Sequence, residues 1–466
     1  MPIAAAFAVP HPPLAISGVG RGQESAISST LEAYREIGRR IARIEPEALV
    51  IVSPHATSYY DYFHIAPGKA GSGDFSAYGD PDDVVTAAYD QPLVRAITNE
   101  AIKASIPAGT IGAKDPALDH GTMVPLSFIQ AAGVHVPIVR VSPSGMSALD
   151  HYRFGQCIAR ASERIDRSVV LIASGDLSHK LKHAGPYGFA PEARVFDREV
   201  YTALAAGDFG SLLRIDRDVV RASAQCGLPC FQIMAGALDG KLVNAELLSY
   251  ECPFGIGYAV AAFRPLWDSP DRHFGDTLEH EERERRAALI DEEDAYVRLA
   301  RLALEGAVRD RRRLPVPDRL PMELTARRGG VFVTLFRNGE LRGSMGTLEA
   351  TRGTLADEII ANAVGAGTHD TRFPAVTPGE LGQITYCVDV LGEPELVLDR
   401  RDLDPTRYGI IVSTPDGRRG SVLPRTDGLQ TPAQQIRAAC RKGLIETHES
   451  ITIQRFEVTR HRIQEG

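Results

Sequence analysis

Residues Ala48–Val52 (ALVIV) form an unbroken apolar run that stops at Ser53-Pro54-His55. A strand with no polar alternation needs cover on both faces, which is the situation inside a parallel sheet. Outward from this run the pattern repeats at Ile3–Val9, at Val136–Val141 (VPIVRV) and at Ser168–Ala173 (SVVLIA). Ser25–Ile44 lies between the first two and carries Leu31, Tyr34, Ile37, Ile41 and Ile44 toward one helical face. Continuous apolar strands alternating with amphipathic helices predict an α/β N-terminal domain, a mixed sheet covered by helices. Ser249–Phe263 (SYECPFGIGYAVAAF) predicts a closing hairpin with glycines at its bend.

The character changes at residues 265–281 (PLWDSPDRHFGDTLEHE), which are polar and hold two prolines and the single tryptophan, Trp267. A chain of 466 residues has room for two or three domains. The expected division is a first domain at 1–265, a linker at 266–284 and a second domain at 285–466. In the second half, Glu281–Arg309 reads as one charged amphipathic helix. Strand-like segments follow at Gly330–Phe336, Ile384–Leu391, Gly409–Ser413 and Ile451–Val458, separated by helical patterns at Thr354–Val364 and Pro432–Gly443. That order predicts an α+β domain.

Composition excludes several classes. With 44% hydrophobic and 24% charged residues, disorder and coiled coil are ruled out as the main state. The net charge of −8 provides no basic field, so nucleic acid is not an expected partner. No apolar run approaches the roughly 20 residues that span a bilayer, so no membrane association is expected. MPIAAAFAVPHPPLA lacks a basic leader and is interrupted by Pro-His-Pro-Pro, so it reads as a buried first strand rather than a signal peptide. Six cysteines make no disulfide framework, and the closest pair, Cys226 and Cys230, has no second pair at zinc-site spacing. A reducing cytoplasm is the expected compartment.

Histidines stand where α/β sheets place their sites. His11 follows the first strand, His55 follows ALVIV, and His179 follows SVVLIA within SGDLSH. Ligands bind beyond the carboxyl ends of such strands, so the three could converge. His120, in Asp119-His120-Gly121, reads as a loop residue before an apolar segment and is a fourth candidate. Neutral imidazole is the commonest protein metal ligand and titrates near neutral pH, which suits either a metal or an acid–base site. Pro10, Pro12 and Pro13 would pre-set the direction of His11.

These motifs carry a resemblance. His11 in VPHPPL, His55 in IVSPHA, His120 in LDHGTMVPL and His179 in SGDLSHKLK resemble the class III extradiol ring-cleavage dioxygenases, in their LigB-type catalytic subunit, over about residues 1–265. The resemblance implies a non-haem Fe(2+) site, a catecholic or related aromatic substrate that chelates the iron, and O2 bound beside it. It assigns His11 and His55 as metal ligands, His179 as acid/base, and His120 as a partner that orients substrate or oxygen. Those enzymes often form oligomers, so a homo-oligomer is implied as well.

The third ligand in that family is a glutamate late in the domain. Here the matching stretch, Ala222-Ser223-Ala224-Gln225-Cys226-Gly227-Leu228-Pro229-Cys230, has no carboxylate. Cys226 as a thiolate, Gln225 as a neutral amide and Asp176 as a carboxylate are the alternatives; Asp176 also reads as a support for His179. The Cys-Gly pattern resembles the Memo-like relatives of the same superfamily, whose set is two histidines and a cysteine. A thiolate would favour zinc or copper over iron.

Neighbouring residues have plainer readings. His64 in YDYFHI reads as structural, and His151 and His183 as exposed. Tyr59, Tyr60 and Asp61 follow His55 and are open to two readings, lining a substrate pocket or ordinary packing; Tyr59, Asp61 and Asp176 are the substrate-binding candidates.

The second half has its own resemblance. Gly330–Ala350 (GVFVTLFRNGELRGSMGTLEA) with Asp370–Leu381 (DTRFPAVTPGEL) resembles the AMMECR family over about residues 285–466. The family's L-R-G-C-I-G-T-L hallmark reads here Leu341-Arg342-Gly343-Ser344-Met345-Gly346-Thr347-Leu348, with serine for cysteine. Arg342 could hold a carboxylate or phosphate in bidentate fashion, or the motif could be a purely conformational hairpin. Serine is a weak nucleophile without a base beside it. His369 in THDTRFP is one more candidate. Memo-like and AMMECR modules occur together with a radical-SAM protein in the AmmeMemoRadiSam system. The resemblance therefore implies a separate radical-SAM partner, since no C-x3-C-x2-C motif is present. The expected activity is dioxygenase-type oxidoreduction of an aromatic substrate. The alternative is a Memo-like, metal-binding, non-dioxygenase component with the AMMECR module for binding.

Overall fold

The computed structural model describes residues 3–463, apart from 338, 427 and 447. These residues group into two compact units, Met1–Glu282 and Arg283–Gly466. Among the described residues, no helix is long and apolar enough to cross a membrane.

The first unit is built on a sheet of β1 (Ile3–Val9), β2 (Ala48–Val52), β3 (Ile138–Val141), β4 (Val169–Ser174), β5 (Lys241–Glu251) and β6 (Tyr258–Asp268). Its spatial order is β3-β2-β4-β1-β6-β5. The first four strands run parallel, and β6 and β5 close the edge antiparallel. All five residues of β2 are fully buried, which is why its sequence shows no alternation.

Alternate residues still serve different layers. Ala5, Phe7, Val9, Leu49 and Ile51 pack under α1 (Ser28–Ile44) and α3 (His120–Ala131). Ala6, Ala8, Val50 and Val52 pack on the opposite layer. That layer is made of α2 (Gln91–Lys103), α4 (Ala148–Arg164), α5 (Pro191–Ala206) and α6 (Leu228–Ala237). Leu31, Tyr34, Ile37 and Ile41 form the buried face of α1, each contributing about 1.5–3 kcal/mol of burial. Ile44 is only half-buried, because the helix ends beside it where Glu45 turns left-handed (φ 52°). Tyr34 also donates its hydroxyl to the Pro10 carbonyl, so α1 fixes the chain immediately before His11.

The register places the site. β4 lies between β1 and β2, with Val9 opposite Ser174 and Val52 opposite Ala173. The carboxyl ends of three adjacent parallel strands are therefore level, and His11, His55 and His179 all follow them.

The stretch at 266–284 is ordered rather than an irregular linker. β6 continues to Asp268, with Asp268 opposite Lys241, and α7 begins at Phe274 and runs to Asp291. Arg272 holds the turn between them: it donates to the Gly207 and Lys241 carbonyls and lies over the rings of Phe209 and Phe274. The single helix expected at Glu281–Arg309 is two. Asp294 accepts from the amides of Tyr296 and Val297 and so starts a new helix, α8 (Ala295–Arg309).

The second unit is α+β. One sheet has the order β8 (Glu340–Gly346), β7 (Val331–Arg337), β9 (Ile384–Leu391) and β13 (Val458–Arg462), all antiparallel. It packs on α8 and α9 (Leu355–Thr368). A second sheet contains β10 (Gly409–Ser413), β11 (Arg419–Val422) and β12 (Thr452–Phe456), with Glu395–Leu396 at one edge. It is covered by α10 (Pro432–Lys442). The strand expected at Ile451–Val458 breaks at Glu457, and its two parts enter different sheets.

Candidate metal centre

Three side chains from three separate segments point at one place. The Nε2 atoms of His11 and His55 are 3.0 Å apart, and the Cys226 Sγ is 3.6 Å from the His11 Nε2. The three ligand atoms all lie within 4.8 Å of one another. An ion with metal–nitrogen bonds of about 2.0–2.1 Å and a metal–sulfur bond of about 2.3 Å separates tetrahedral ligands by roughly 3.3–3.6 Å. The two spacings about His11, 3.0 and 3.6 Å, lie close to that range, and the group could hold a single ion.

Two of the three candidate ligands, His11 and Cys226, are held from behind. The His11 Nδ1 is 2.9 Å from the Ser174 Oγ at the end of β4, which leaves Nε2 as the free donor nitrogen. The His11 amide donates to the Asp176 Oδ1 at 2.8 Å. The Asp176 carbonyl in turn accepts from the Gly227 amide at 3.0 Å and from the Cys226 thiol at 3.7 Å. Asp176 thus joins the His11 and Cys226 loops instead of joining the ligand group. Gln225 is also turned away, since its Oε1 accepts from the Leu228 amide at 2.7 Å and closes the start of α6.

Charge and burial favour a metal over a protonated cluster. His11 is buried, and burial, with His55 beside it, lowers its pKa to about 3, so it is a neutral ligand at any ordinary pH. Burial, with the nearby Asp176 charge, pushes the Cys226 thiol well above its usual range. An ion would have to displace that proton, which couples binding to pH. Burial raises Asp176 to about 6, opposed by the His11 amide and by the charges of His179 and His55. His55 is exposed, so one side of the centre opens to solvent.

His120 and His179 complete the surroundings. His120 is the first residue of α3 rather than a loop residue, because Asp119 caps that helix by accepting from the Thr122 amide at 3.0 Å. Its ring stacks on His55 with centroids 4.2 Å apart and meets His11 edge-on at 5.3 Å. Burial, then the neighbouring His11 and His55, lower His120 to about 3. The His179 amide donates to the Ser223 carbonyl at 3.0 Å, and its buried Nδ1 has no partner among the described residues.

The rings against these two histidines are Tyr78, edge-on to His120 at 5.5 Å, and Tyr187, edge-on to His179 at 5.1 Å. Neither was found in the sequence, because both sit in short irregular segments with no periodic signal. Tyr59 is engaged elsewhere: its hydroxyl accepts from the Ala113 amide at 2.8 Å, and its ring meets Tyr62 and His64. Tyr60 and Asp61 are exposed. His64 is buried in a short strand, and burial lowers its pKa. His183 is exposed against Phe189. His151, expected to be exposed, is buried: Nδ1 lies 2.8 Å from the Ser147 carbonyl, and Nε2 accepts from the Ser144 amide at 3.2 Å.

In the second unit, Arg342 is already paired. Its Nε and terminal nitrogen reach the two Glu380 oxygens at 2.9 and 3.2 Å, and it also donates to the Pro374 carbonyl. Ser344 donates its amide to Asp370, and its hydroxyl is 3.1 Å from that of Thr334, so its partner is not a base. His369 is exposed beside the Thr368 hydroxyl. The motif is tied together by buried Glu358, which accepts from the hydroxyls of Thr347 and Thr351 and the amides of Thr351 and Arg352. This is a conformational network.

Comparison with known proteins agrees with this division. Residues 5–261 match the family described as "Catalytic LigB subunit of aromatic ring-opening dioxygenase". Residues 297–461 match AMMECR1. A protein of Clostridium acetobutylicum, CA_C1420, is 36% identical over 465 residues, covering 98% of each chain. A Thermotoga maritima protein is 42% identical over 172 residues, which is 36% of this chain and 98% of its own. Among solved structures, an uncharacterised Pyrococcus horikoshii protein, PH0010, is 27% identical, covering 35% of this chain and 88% of its own, with a TM-score of 0.33. An uncharacterised Escherichia coli protein, JW3007, is 15% identical, covering 56% of this chain and 99% of its own, with a TM-score of 0.35.

Proposed function

Given that the chain belongs to the LigB family and carries an AMMECR1 domain after its LigB domain in the sequence, we propose that it is a metal-dependent oxidoreductase of dioxygenase type. Its substrate is a catecholic or related small aromatic molecule. The observation that carries the reading is the convergence of His11, His55 and Cys226 on one point open to solvent. A bound ion would supply a site where a diol and O2 can meet. The chain's own residues do the rest. His11 and His55 would hold the ion through their Nε2 atoms. His179, whose buried Nδ1 has no partner among the described residues, accepts and returns a substrate proton. His120 orients what binds beside His55, and Tyr78 and Tyr187 offer aromatic walls.

Cys226 favours a second reading. A thiolate in the ligand set suits zinc or copper(I) better than Fe(2+). On that reading the LigB domain is a Memo-like, non-dioxygenase metal site. The AMMECR1 domain is a binding module, and a separate radical-SAM protein is the partner.

Metal analysis after anaerobic, iron-replete expression separates the two, using wild type, Cys226→Ala and the His11→Ala/His55→Ala pair. Each sample then receives protocatechuate, gallate or homoprotocatechuate under oxygen, with ring-opened product read by absorbance. One iron per chain that is lost in the double variant, with yellow product, supports the dioxygenase. Zinc or copper that depends on Cys226, with no product, supports the Memo-like reading. Absence of any bound metal overturns both.

A further inference from the structure

We propose that Asp119 is a positioning residue of the metal centre, setting His55 and His120 together through Ser53 and the start of α3, with Arg140 as its anchor. The proposal rests on the reading of His11, His55 and Cys226 as metal ligands.

Three segments meet at this carboxylate: the residue after β2, the start of α3, and β3. Asp119 Oδ1 accepts from the Ser53 hydroxyl and from the Thr122 amide. Its Oδ2 accepts from the Thr122 hydroxyl at 2.9 Å and lies 3.7 Å from an Arg140 nitrogen. Arg140 stands on β3, only 3% exposed, and donates to the carbonyls of Asp115 and Ala117 in the segment that leads to Asp119. Ser53 directly follows β2 and passes the constraint on, since its Oγ accepts from the His55 amide at 3.3 Å.

One carboxylate is thereby bonded toward both histidines of the stack. It reaches His55 through Ser53, and it caps the helix on which His120 is the first residue. Those rings lie 4.2 Å apart and tilt by 29°, so a shift of either is felt by the other. Capping α3 alone needs only a short acceptor at position 119. It requires neither a donor from the end of β2 nor a buried guanidinium from β3. Those two features make the arrangement more than a cap. Ser174 orients the His11 ring through its Nδ1, and the Asp119–Ser53 pair instead holds the backbone from which the His55 ring projects. Partners of this outer kind typically change metal affinity 10–100-fold when removed.

The test is cobalt(II) titration of the full-length apo-protein, following the ligand-field bands and the thiolate-to-cobalt charge-transfer band. Wild type is compared with Ser53→Ala, Asp119→Ala and the double variant. Ser53→Ala leaves the Asp119 cap on Thr122 intact and cuts only the link to His55. It is expected to bind Co(II) about 10–100-fold more weakly with displaced ligand-field bands, while its thermal unfolding stays close to wild type. The double variant should bind no worse than Asp119→Ala, because the two residues act in one chain. Wild-type affinity and spectrum in Ser53→Ala overturn the proposal, as do fully additive effects. If Asp119→Ala fails to fold, Ser53→Ala decides alone. A wild-type protein with no thiolate-to-cobalt band removes the metal centre itself, and the proposal falls with it; that failure is distinct from a normal wild-type band left unchanged by Ser53→Ala.

Discussion

Gly175 and Gly227 stand back to back: a Cβ placed on Gly175 would lie 2.1 Å from the Gly227 Cα. The loop that carries Asp176 and His179 is thus pressed against the loop that carries Cys226, and the Gly227 amide bonds to the Asp176 carbonyl at 3.0 Å. Glycine at 175 serves to let two backbones touch.

Gly175→Ala is expected to destabilise the first unit by about 1–3 kcal/mol through overpacking and to lower its metal content, because the loops must part and Cys226 moves with them. Calorimetry and metal analysis on the same sample check this. Gly379→Ala, where nothing lies within 4 Å of the new Cβ, should change neither.

Gln225 and Cys226 are adjacent in sequence yet face different tasks. Cys226→Ala should abolish stoichiometric metal binding. Gln225→Ala should keep the metal and lose about 0.5–2 kcal/mol, the ordinary cost of an uncapped helix start. Mass-spectrometric metal content and thermal unfolding separate the outcomes, and retained metal in Cys226→Ala would exclude it as a ligand.

Asp197 gives the protein a pH signature. It is buried, accepts from the Ser178 amide at 2.8 Å and the Tyr250 hydroxyl at 2.7 Å, and burial raises its pKa to about 6 from an ordinary 3.8. Between these values the folded state holds more protons than the unfolded one, so stability falls as pH rises from about 4 to about 6. The loss is of the order of 2–3 kcal/mol and persists at higher pH. In Asp197→Asn that part of the slope should vanish in unfolding curves recorded across this window. The remaining slope belongs to groups such as Asp176, which is raised in the same direction.

In the second unit, Arg342→Lys replaces a two-pronged contact with Glu380 by a single charge. A loss of about 1.5–3 kcal/mol is expected, with metal content unchanged. An activity that depends on Arg342 while stability is unaffected would assign it a ligand instead of Glu380.

The sequence made the strands legible because burial on both faces suppresses alternation, and ALVIV states that directly. It also showed that His11, His55 and His179 follow strands. It did not show which rings meet, because that depends on β4 lying between β1 and β2, a property of strand order alone. Tyr59 and Asp61 follow His55 closely but do not stay with it: the chain turns away into Phe63–His64, which pairs with Ala108–Gly109. His151 was readable after all, since Phe154 and Ile158 share its helical face at the spacing of a buried stripe. Asp119 before His120 likewise had the form of a helix cap. Tyr78 and Tyr187 left no trace, because irregular segments carry no period.

The strand order also dictates a timetable. Ala6 pairs with Leu171 on one side and Phe263 on the other, so the first strand synthesised waits for the last strand of its own sheet to leave the ribosome. Until residue 268 has emerged, β1 has only one of its two neighbours, β4, and the sheet stays open along its other side. Such long-range closure is slow and all-or-none. The frame that carries residues 11, 55 and 226 is therefore complete once residue 268 has emerged, while most of the second unit is still to be made.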